Sequence, residues 1–310
     1  MQRTPGFDGF KQEDGRVKSH DRYGYTPITG RPSDRWPNGA GLAFYIALNV
    51  ERYWFDGGLT EDLVPGGSRP DVLNGSWLEY GARVGAWRLI DLFRSLDLPA
   101  TVLLNSDVCG HSPELVAAFR AEGYEIAAHG RTNSESQAGM DGEDESRLIL
   151  EATNTIADAV GERPEGWLSP WLAETYLTPD LLQEAGYLYV LDWCPDDQPV
   201  WLETRNGRIL SIPYSQEIND SAAIIGRNVS AGAFADMVID QVDEMLEQSR
   251  THGPRLVFGL ALHAQIIGQP FRLRQLRRAL RHIAGLSDQI WITRAADIAS
   301  VISGNPANAL

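Results

Sequence analysis

Short apolar runs alternate with stretches whose apolar residues recur at helical spacing, and this alternation sets the plan of the 310-residue chain. Gly41 to Leu48 reads as a strand, and Val84, Trp87, Ile90, Phe93 and Leu96 then repeat as one face of a helix. The pattern goes on with a strand at Ala100 to Leu104 and a helix around Ser112 to Glu122, where Ser112 before Pro113 marks a capped start. Next come a strand at Tyr124 to Ala128, a helix around Asp141 to Val160, a strand at Trp167 and a helix at Pro179 to Ala185. Strands follow at Tyr187 to Leu191 and Ile209 to Ile212, then a helix from Ala233 to Gln248 and the strongly apolar strand Leu256 to Leu262. Leu273, Leu276, Leu280 and Ile283 mark one more helix, before a strand at Gln289 to Ile292 and a last helix from Arg294.

Continuously apolar strands, each followed by an amphipathic helix, predict an α/β architecture with a parallel sheet under helices. Roughly seven such units favour a (β/α) barrel of seven strands over an open, doubly wound sheet. Asn49-Val50-Glu51 follows the first strand, where a nucleotide-binding open sheet would carry a Gly-rich loop. Residues 1–40, rich in Gly, Pro, Arg and Asp and without period, read as an irregular arm lying on a single barrel domain of residues 41–310.

With 43% hydrophobic residues and nine Trp the chain can fill a large core. A formal net charge of -15 repels nucleic acid and anionic membrane surfaces, so the expected partner is a small molecule, neutral or only locally charged. Met1 to Asp21 has no apolar centre of the signal-peptide kind, and no apolar run is long enough to span a bilayer. Cys109 and Cys194 could form one bridge at most, and a cytoplasmic, reducing location is expected.

In barrels of this kind the chemistry sits on loops leaving the C-terminal ends of the strands. Glu51 follows the first strand, His129 the third, and Asp192 the Tyr189-Val190-Leu191 run. Glu217, Asn219 and Asp220 follow Ile212-Pro213-Tyr214, and His263 follows Leu260-Ala261-Leu262. Two histidines that titrate near neutrality beside two carboxylates suit general acid–base work. The plainer alternatives are a structural hydrogen bond for either histidine, an ion pair with Arg52 for Glu51, a turn or cap for Asp192 and an ordinary turn at 217–220. Cys194 has no histidine near it in sequence and reads as a spectator thiol.

At these residues the chain resembles the polysaccharide deacetylase superfamily. The matching landmarks are Asn49-Val50-Glu51, His129 to Asn133, Trp167-Leu168-Ser169-Pro170-Trp171, Asp192-Trp193 and Leu262-His263. The resemblance implies a deacetylase-type barrel. In metal-dependent members, an Asp base and an Asp-His-His set holding a zinc-like ion would occupy these places. Here the base position is Asn49, the Asp ligand is Glu51, the second His is Asn133 and the motif arginine is Leu168. Asn neither takes a proton from water at neutral pH nor binds zinc well.

The pattern is similar to the metal-independent branch that contains cofactor-independent allantoinases and cyclic imide hydrolases. Arg35 to Gly39, Pro213 to Asp220 and Gly268-Gln269-Pro270 extend the likeness, while Ala264-Gln265 depart from it. The resemblance implies hydrolysis of a C–N bond in a small cyclic amide or imide, such as allantoin, a hydantoin or a succinimide, with no cofactor and in a homo-oligomer. Glu51 and His263 would share the acid and base roles, Glu51 acting as base if burial raises its pKa. Asp192 would orient His263, with Asn49, Asn133 and His129 as oxyanion donors. Glu217, Asn219 and Gln265 would contact the ring's polar edge, and Trp171 its face. A metal-dependent N-deacetylase or amidase acting on an N-acetyl sugar is the alternative, and a non-catalytic binding member a second.

Overall fold

Strand β1 (Leu42–Val50) is buried along all nine residues because it has neighbours on both edges and an apolar layer on each face. The computed structural model describes residues 20–29, 31, 34–251 and 255–304. Residues 1–19 of the expected arm therefore lie outside the described residues.

From β1 the chain runs through α1 (Val72–Tyr80), a π turn (Gly81–Gly85) and α2 (Ala86–Arg94) to β2 (Thr101–Leu104). It continues through α3 (Asp107–His111), α4 (Pro113–Ala121), β3 (Glu125–Ala128), α5 (Gly142–Val160), β4 (Gly166–Trp167), α6 (Thr178–Glu184) and β5 (Tyr189–Val190). A hairpin of β6 (Val200–Thr204) and β7 (Gly207–Ser211) precedes a second π turn (Ser221–Gly226), α7 (Ala231–Thr251) and β8 (Leu256–His263). The short α8 (Ala264–Ile267), α9 (Pro270–Ala284), β9 (Trp291–Thr293) and α10 (Ala295–Gly304) complete the order.

The strands form one sheet in the order β6-β7-β5-β4-β3-β2-β1-β8, and β9 pairs with β1. The sheet has nine strands where seven are expected. The strand without an expected counterpart is β6, antiparallel on β7, whereas β9 answers the strand expected at Gln289 to Ile292 and takes the lower half of the β1 edge (Ala43 to Tyr45) while β2 takes the upper half (Ala47 to Val50). The sheet curls until the chain after β7 meets β8. Ser215 N donates to Gly259 O at 3.2 Å, and Asn219 forms an isolated bridge with Ala261. Gly259 is required at this closure, because a Cβ there would stand 2.6 Å from the Pro213 carbonyl oxygen and the Tyr45 ring.

Alternation along the strands divides the core into two clusters. Leu42, Phe44, Ile46 and Leu48 of β1, with Phe258, Leu260 and Leu262 of β8, pack outward under the helices. Ala43, Tyr45, Ala47, Ala127, Leu191, Tyr214 and Ala261 fill the inside of the curl. The same parity carried past the strand ends turns Asn49, Glu51, His129 and His263 inward.

Two local expectations change. Ser112 precedes α4 but its side chain makes no capping bond, its hydroxyl lying 2.9 Å from His111 Nδ1 instead. The stretch Phe55 to Asn74, unplaced by periodicity, leads into α1, where Asp71 caps the helix by accepting from Asn74 N at 3.0 Å.

Candidate active site

The inward-turned strand ends meet around a cavity of about 340 Å³ lined by Asn49, Glu51, His129, Asn133, Trp171, Tyr214, Asn219 and His263, among others. Its centre is Glu51. Oε1 accepts from Asn133 Nδ2 at 2.6 Å and faces His129 Nε2 at 3.5 Å and His263 Nε2 at 3.6 Å. Oε2 accepts from the Tyr53 hydroxyl at 2.8 Å and Gln265 Nε2 at 2.9 Å. Burial by itself pushes this carboxyl up, but the facing charge of His263, the nearby His129 ring and the hydrogen bond from Gln265 outweigh it and hold the carboxyl at about 2. The pKa elevation expected of a basic Glu51 is thus reversed.

His263 is held by Asp220, not by Asp192 as the sequence suggests. Its Nδ1 lies 2.7 Å from Asp220 Oδ1, while Asp220 Oδ2 accepts from the His263 backbone N–H at 3.0 Å. Burial lowers the imidazole's pKa, yet the charges of Glu51 and Asp220 raise it to about 9. At neutral pH the site therefore contains an imidazolium between two carboxylates. Asp192 instead accepts from the backbone N–H of Ser169 at 2.7 Å and from its hydroxyl at 2.8 Å. That fixes the turn after β4, whose Leu168 carbonyl oxygen lies 2.8 Å from His129 Nδ1. Because a carbonyl can only accept, His129 carries a proton on Nδ1, and its buried Nε2 has no hydrogen-bond partner. The chain leaves His129 at Gly130 with φ 60, where a Cβ would also stand 2.7 Å from the Pro170 ring.

The side-chain amides are oriented by a chain of fixed partners. Arg52 N donates to Asn105 Oδ1 at 2.7 Å, so Asn105 Nδ2 is the donor to Asn133 Oδ1 at 3.0 Å, and Asn133 Nδ2 in turn points at Glu51. Asn49 Nδ2 donates to the Leu262 carbonyl and to the Tyr214 hydroxyl, both at 3.0 Å, which leaves buried Oδ1 without a partner. Both amide donors expected to meet an oxyanion are therefore engaged elsewhere. Asn219 lines the cavity with Oδ1 on Ser221 N at 2.9 Å and Nδ2 on Tyr214 at 3.4 Å.

Trp171 stands at the rim, 39% exposed, with its indole N–H on Asn133 O at 2.8 Å and its ring 6.4 Å edge-on from Tyr53. Its φ of 63 is a strained setting for a bulky residue. Glu217 is not in the site. Its side chain is 85% exposed and pairs with Arg227 at 3.4 Å.

Asn105, Asp220, Tyr53 and Glu61 belong to the site and were not singled out by role in the sequence. Glu61 lines the cavity, accepts from the Ser221 hydroxyl and meets Gln265 Nε2 at 3.4 Å. Burial raises its pKa, with His263 pulling the other way. Gln265 thus bridges Glu51 and Glu61. Cys194 and Cys109 are free thiols, each pushed up to about 11 by burial.

A zinc-like ion of the deacetylase type does not fit these residues. The third ligand position presents an N–H of Asn133 to Glu51 Oε1, the carboxylate oxygen that would face the ion, and the Asn133 oxygen is turned to Asn105. Among the described residues no group of three or more His, Cys, Asp or Glu is arranged to hold a metal ion.

The fold is a curled, barrel-like α/β sheet with carboxylate, imidazole and amide groups gathered at its C-terminal rim. The polysaccharide deacetylase profile matches residues 78–190. The structure resembles the PuuE allantoinase, with a TM-score of 0.76 at 28% identity over 87% of this chain and 93% of that one. It also resembles a chain from Pseudomonas aeruginosa PAO1 described as a probable polysaccharide deacetylase, with a TM-score of 0.75 at 30% identity over 87% of this chain and 93% of that one. A peptidoglycan deacetylase of Helicobacter pylori is 29% identical over 246 residues, 69% of this chain and 82% of that protein. The chain belongs to the polysaccharide deacetylase family, which is hydrolytic. No helix among the described residues is long and apolar enough to cross a membrane.

Proposed function

We propose that this protein opens a small cyclic amide or imide by hydrolysing a ring C–N bond, with Glu51 and His263 as proton carriers and no metal ion taking part. The observation that carries the reading is the Asn133 N–H on Glu51 Oε1, which fills the side of the carboxylate that a metal would need. The likeness to an allantoinase supports the ring substrate.

His263 donates its Nε2 proton to the departing ring nitrogen while Glu51, 3.6 Å away, takes a proton from the attacking water. Glu51 is a weak base in the resting site because His263 is charged; as His263 gives up its proton, that restraint vanishes and the carboxylate's proton affinity rises. The water oxygen bonds to the carbonyl carbon, the C–N bond breaks, and the proton on Glu51 passes back to His263. An imide nitrogen leaves more readily than an ordinary amide nitrogen, so less electrophilic assistance is required. General acid–base catalysis of this kind contributes about 10²–10⁴-fold. The substrate is small and neutral or only locally charged, and the enzyme works as a homo-oligomer in a reducing cytoplasm.

The relative from Helicobacter pylori favours the competing reading, metal-dependent N-deacetylation. One experiment separates the two. The purified protein is incubated with cyclic imides, hydantoins, allantoin and N-acetyl sugars, with and without a chelator, and ring opening and acetate release are both followed. Ring opening unaffected by the chelator is expected; acetate release abolished by it would overturn the proposal.

A further inference from the structure

Two buried groups in the cavity wall are left with unused hydrogen-bonding capacity, and they stand next to each other. The Tyr214 oxygen accepts from Asn49 Nδ2 at 3.0 Å and from Asn219 Nδ2 at 3.4 Å. Both amides are locked in these directions, Asn49 by the Leu262 carbonyl and Asn219 by the Ser221 N–H on its oxygen. With its oxygen occupied twice, the phenol has only its O–H to offer, and that O–H donates to no group among the described residues. Asn49 Oδ1, one carboxamide away, is a buried acceptor without a donor. Both residues are 1% exposed and both line the cavity. Burial keeps the phenol protonated far above neutrality, so it serves as a permanent donor. In the β1–β8 register Asn49 is directly opposite His263, which puts the pair beside the proton donor for the ring nitrogen.

We propose that Tyr214 and Asn49 form a two-point reader for a cis amide edge, the Tyr214 O–H donating to a substrate carbonyl and Asn49 Oδ1 accepting the adjacent N–H. In a small ring the amide is locked cis, so its C=O and N–H point to the same side and can meet both groups at once. An open-chain secondary amide, such as an N-acetyl group, is trans and presents them on opposite sides. The pair thus selects ring amides bearing a free N–H and discriminates against acetamido groups. It rests on the ring-opening function proposed above and adds the determinant of substrate class.

The test uses the full-length enzyme, a cyclic imide with a free N–H, its N-methyl derivative, and Tyr214→Phe. For the wild type, N-methylation lowers kcat/KM by about 10- to 100-fold, because Asn49 Oδ1 is left unpaired in the complex. Tyr214→Phe lowers kcat/KM on the free imide by a similar factor and has a much smaller effect on the N-methyl imide, which cannot engage both groups. Isothermal titration with a non-hydrolysable lactam gives a second readout and should show weaker binding to the variant, whose fold is checked by circular dichroism. If imides are opened but neither N-methylation nor Tyr214→Phe changes the rate or the lactam affinity, the reader is overturned while the ring-opening function stands. If no ring is opened and acetamido substrates are turned over instead, both fall.

Discussion

Two sets of buried acids lie at the C-terminal rim of the sheet, and the same burial has opposite results in them. Glu51 and Asp220 hold His263 between them, and Glu51 remains ionised down to about 2. Asp192 and Glu174 stand against each other behind Ser169, where burial and the neighbouring Asp192 charge push Glu174 up to about 10. The difference lies in the partners. Glu51 accepts from Tyr53, Asn133 and Gln265 and faces two imidazoles, whereas Glu174 has the Trp193 indole N–H at 2.8 Å and another carboxyl. Loss of water sets the cost of a charge, and the available donors decide whether the site meets it. The first set keeps a separated ion pair; in the second, Asp192 fixes a turn through Ser169 while Glu174 Oε1 is left without a hydrogen-bond partner.

The comparison breaks most sharply at the first set. Glu51→Gln and His263→Ala should each lower kcat for ring opening by about 10²–10⁴-fold with an unchanged circular dichroism spectrum. A wild-type rate in either variant would remove the acid–base assignment. Asp220→Asn should have a smaller effect, on the order of 10- to 100-fold, since it removes a hydrogen bond to a charged group. Its sharper signature is in the pH profile. The proposed acid–base pair needs Glu51 ionised and His263 protonated, so kcat/KM should be level at neutrality and decline as pH rises through about 9. Asp220 raises the His263 value, so Asp220→Asn moves that decline to lower pH. Asp192→Asn should leave it in place, and the reverse pattern would restore Asp192 as the orienting acid.

Strand parity explains what could be read from the sequence. Ala47, Ala127 and Ala261 point into the curl, so Asn49, Glu51, His129 and His263 follow at even spacing and point inward too. Asp192 directly follows inward-facing Leu191 and is therefore out of step with the residues that turn inward. Asp220 lay within a stretch already singled out, but the isolated bridge at Asn219 that turns it toward His263 is a long-range pairing with no local pattern. Glu61 comes from an aperiodic stretch, and its place beside Gln265 depends on α1 and the π turn after it, neither announced by hydrophobic spacing. Glu217 was misplaced for the opposite reason, a polar residue in a promising run whose side chain turns to solvent. β9 is the strand expected at Gln289 to Ile292, whereas β6 (Val200–Thr204), an edge strand buried only at alternate positions, has no counterpart among the expected strands.

The smallest expected effect tests the second set and concerns stability. Glu174 binds its proton more tightly in the folded protein than in the unfolded chain, where the ordinary value is 4.5. Its contribution is thus fully present below that value and is lost progressively as pH rises towards about 10. Glu51 has the opposite sign, contributing above 4.5 and losing that contribution as pH falls towards about 2. Glu174→Gln keeps an acceptor for the Trp193 indole and removes the ionisable group, so the alkaline loss should disappear. At pH 9 the variant should unfold about 2–4 °C above the wild type, the equivalent of roughly 1 kcal/mol in a protein of this size, and the two should converge near pH 5. Ring-opening activity should not change, because Glu174 touches neither Glu51 nor His263. A midpoint below the wild type at both pH values would mean that Glu174 is not held protonated by the fold, and the contrast between the two sets of acids would then rest on Glu51 alone.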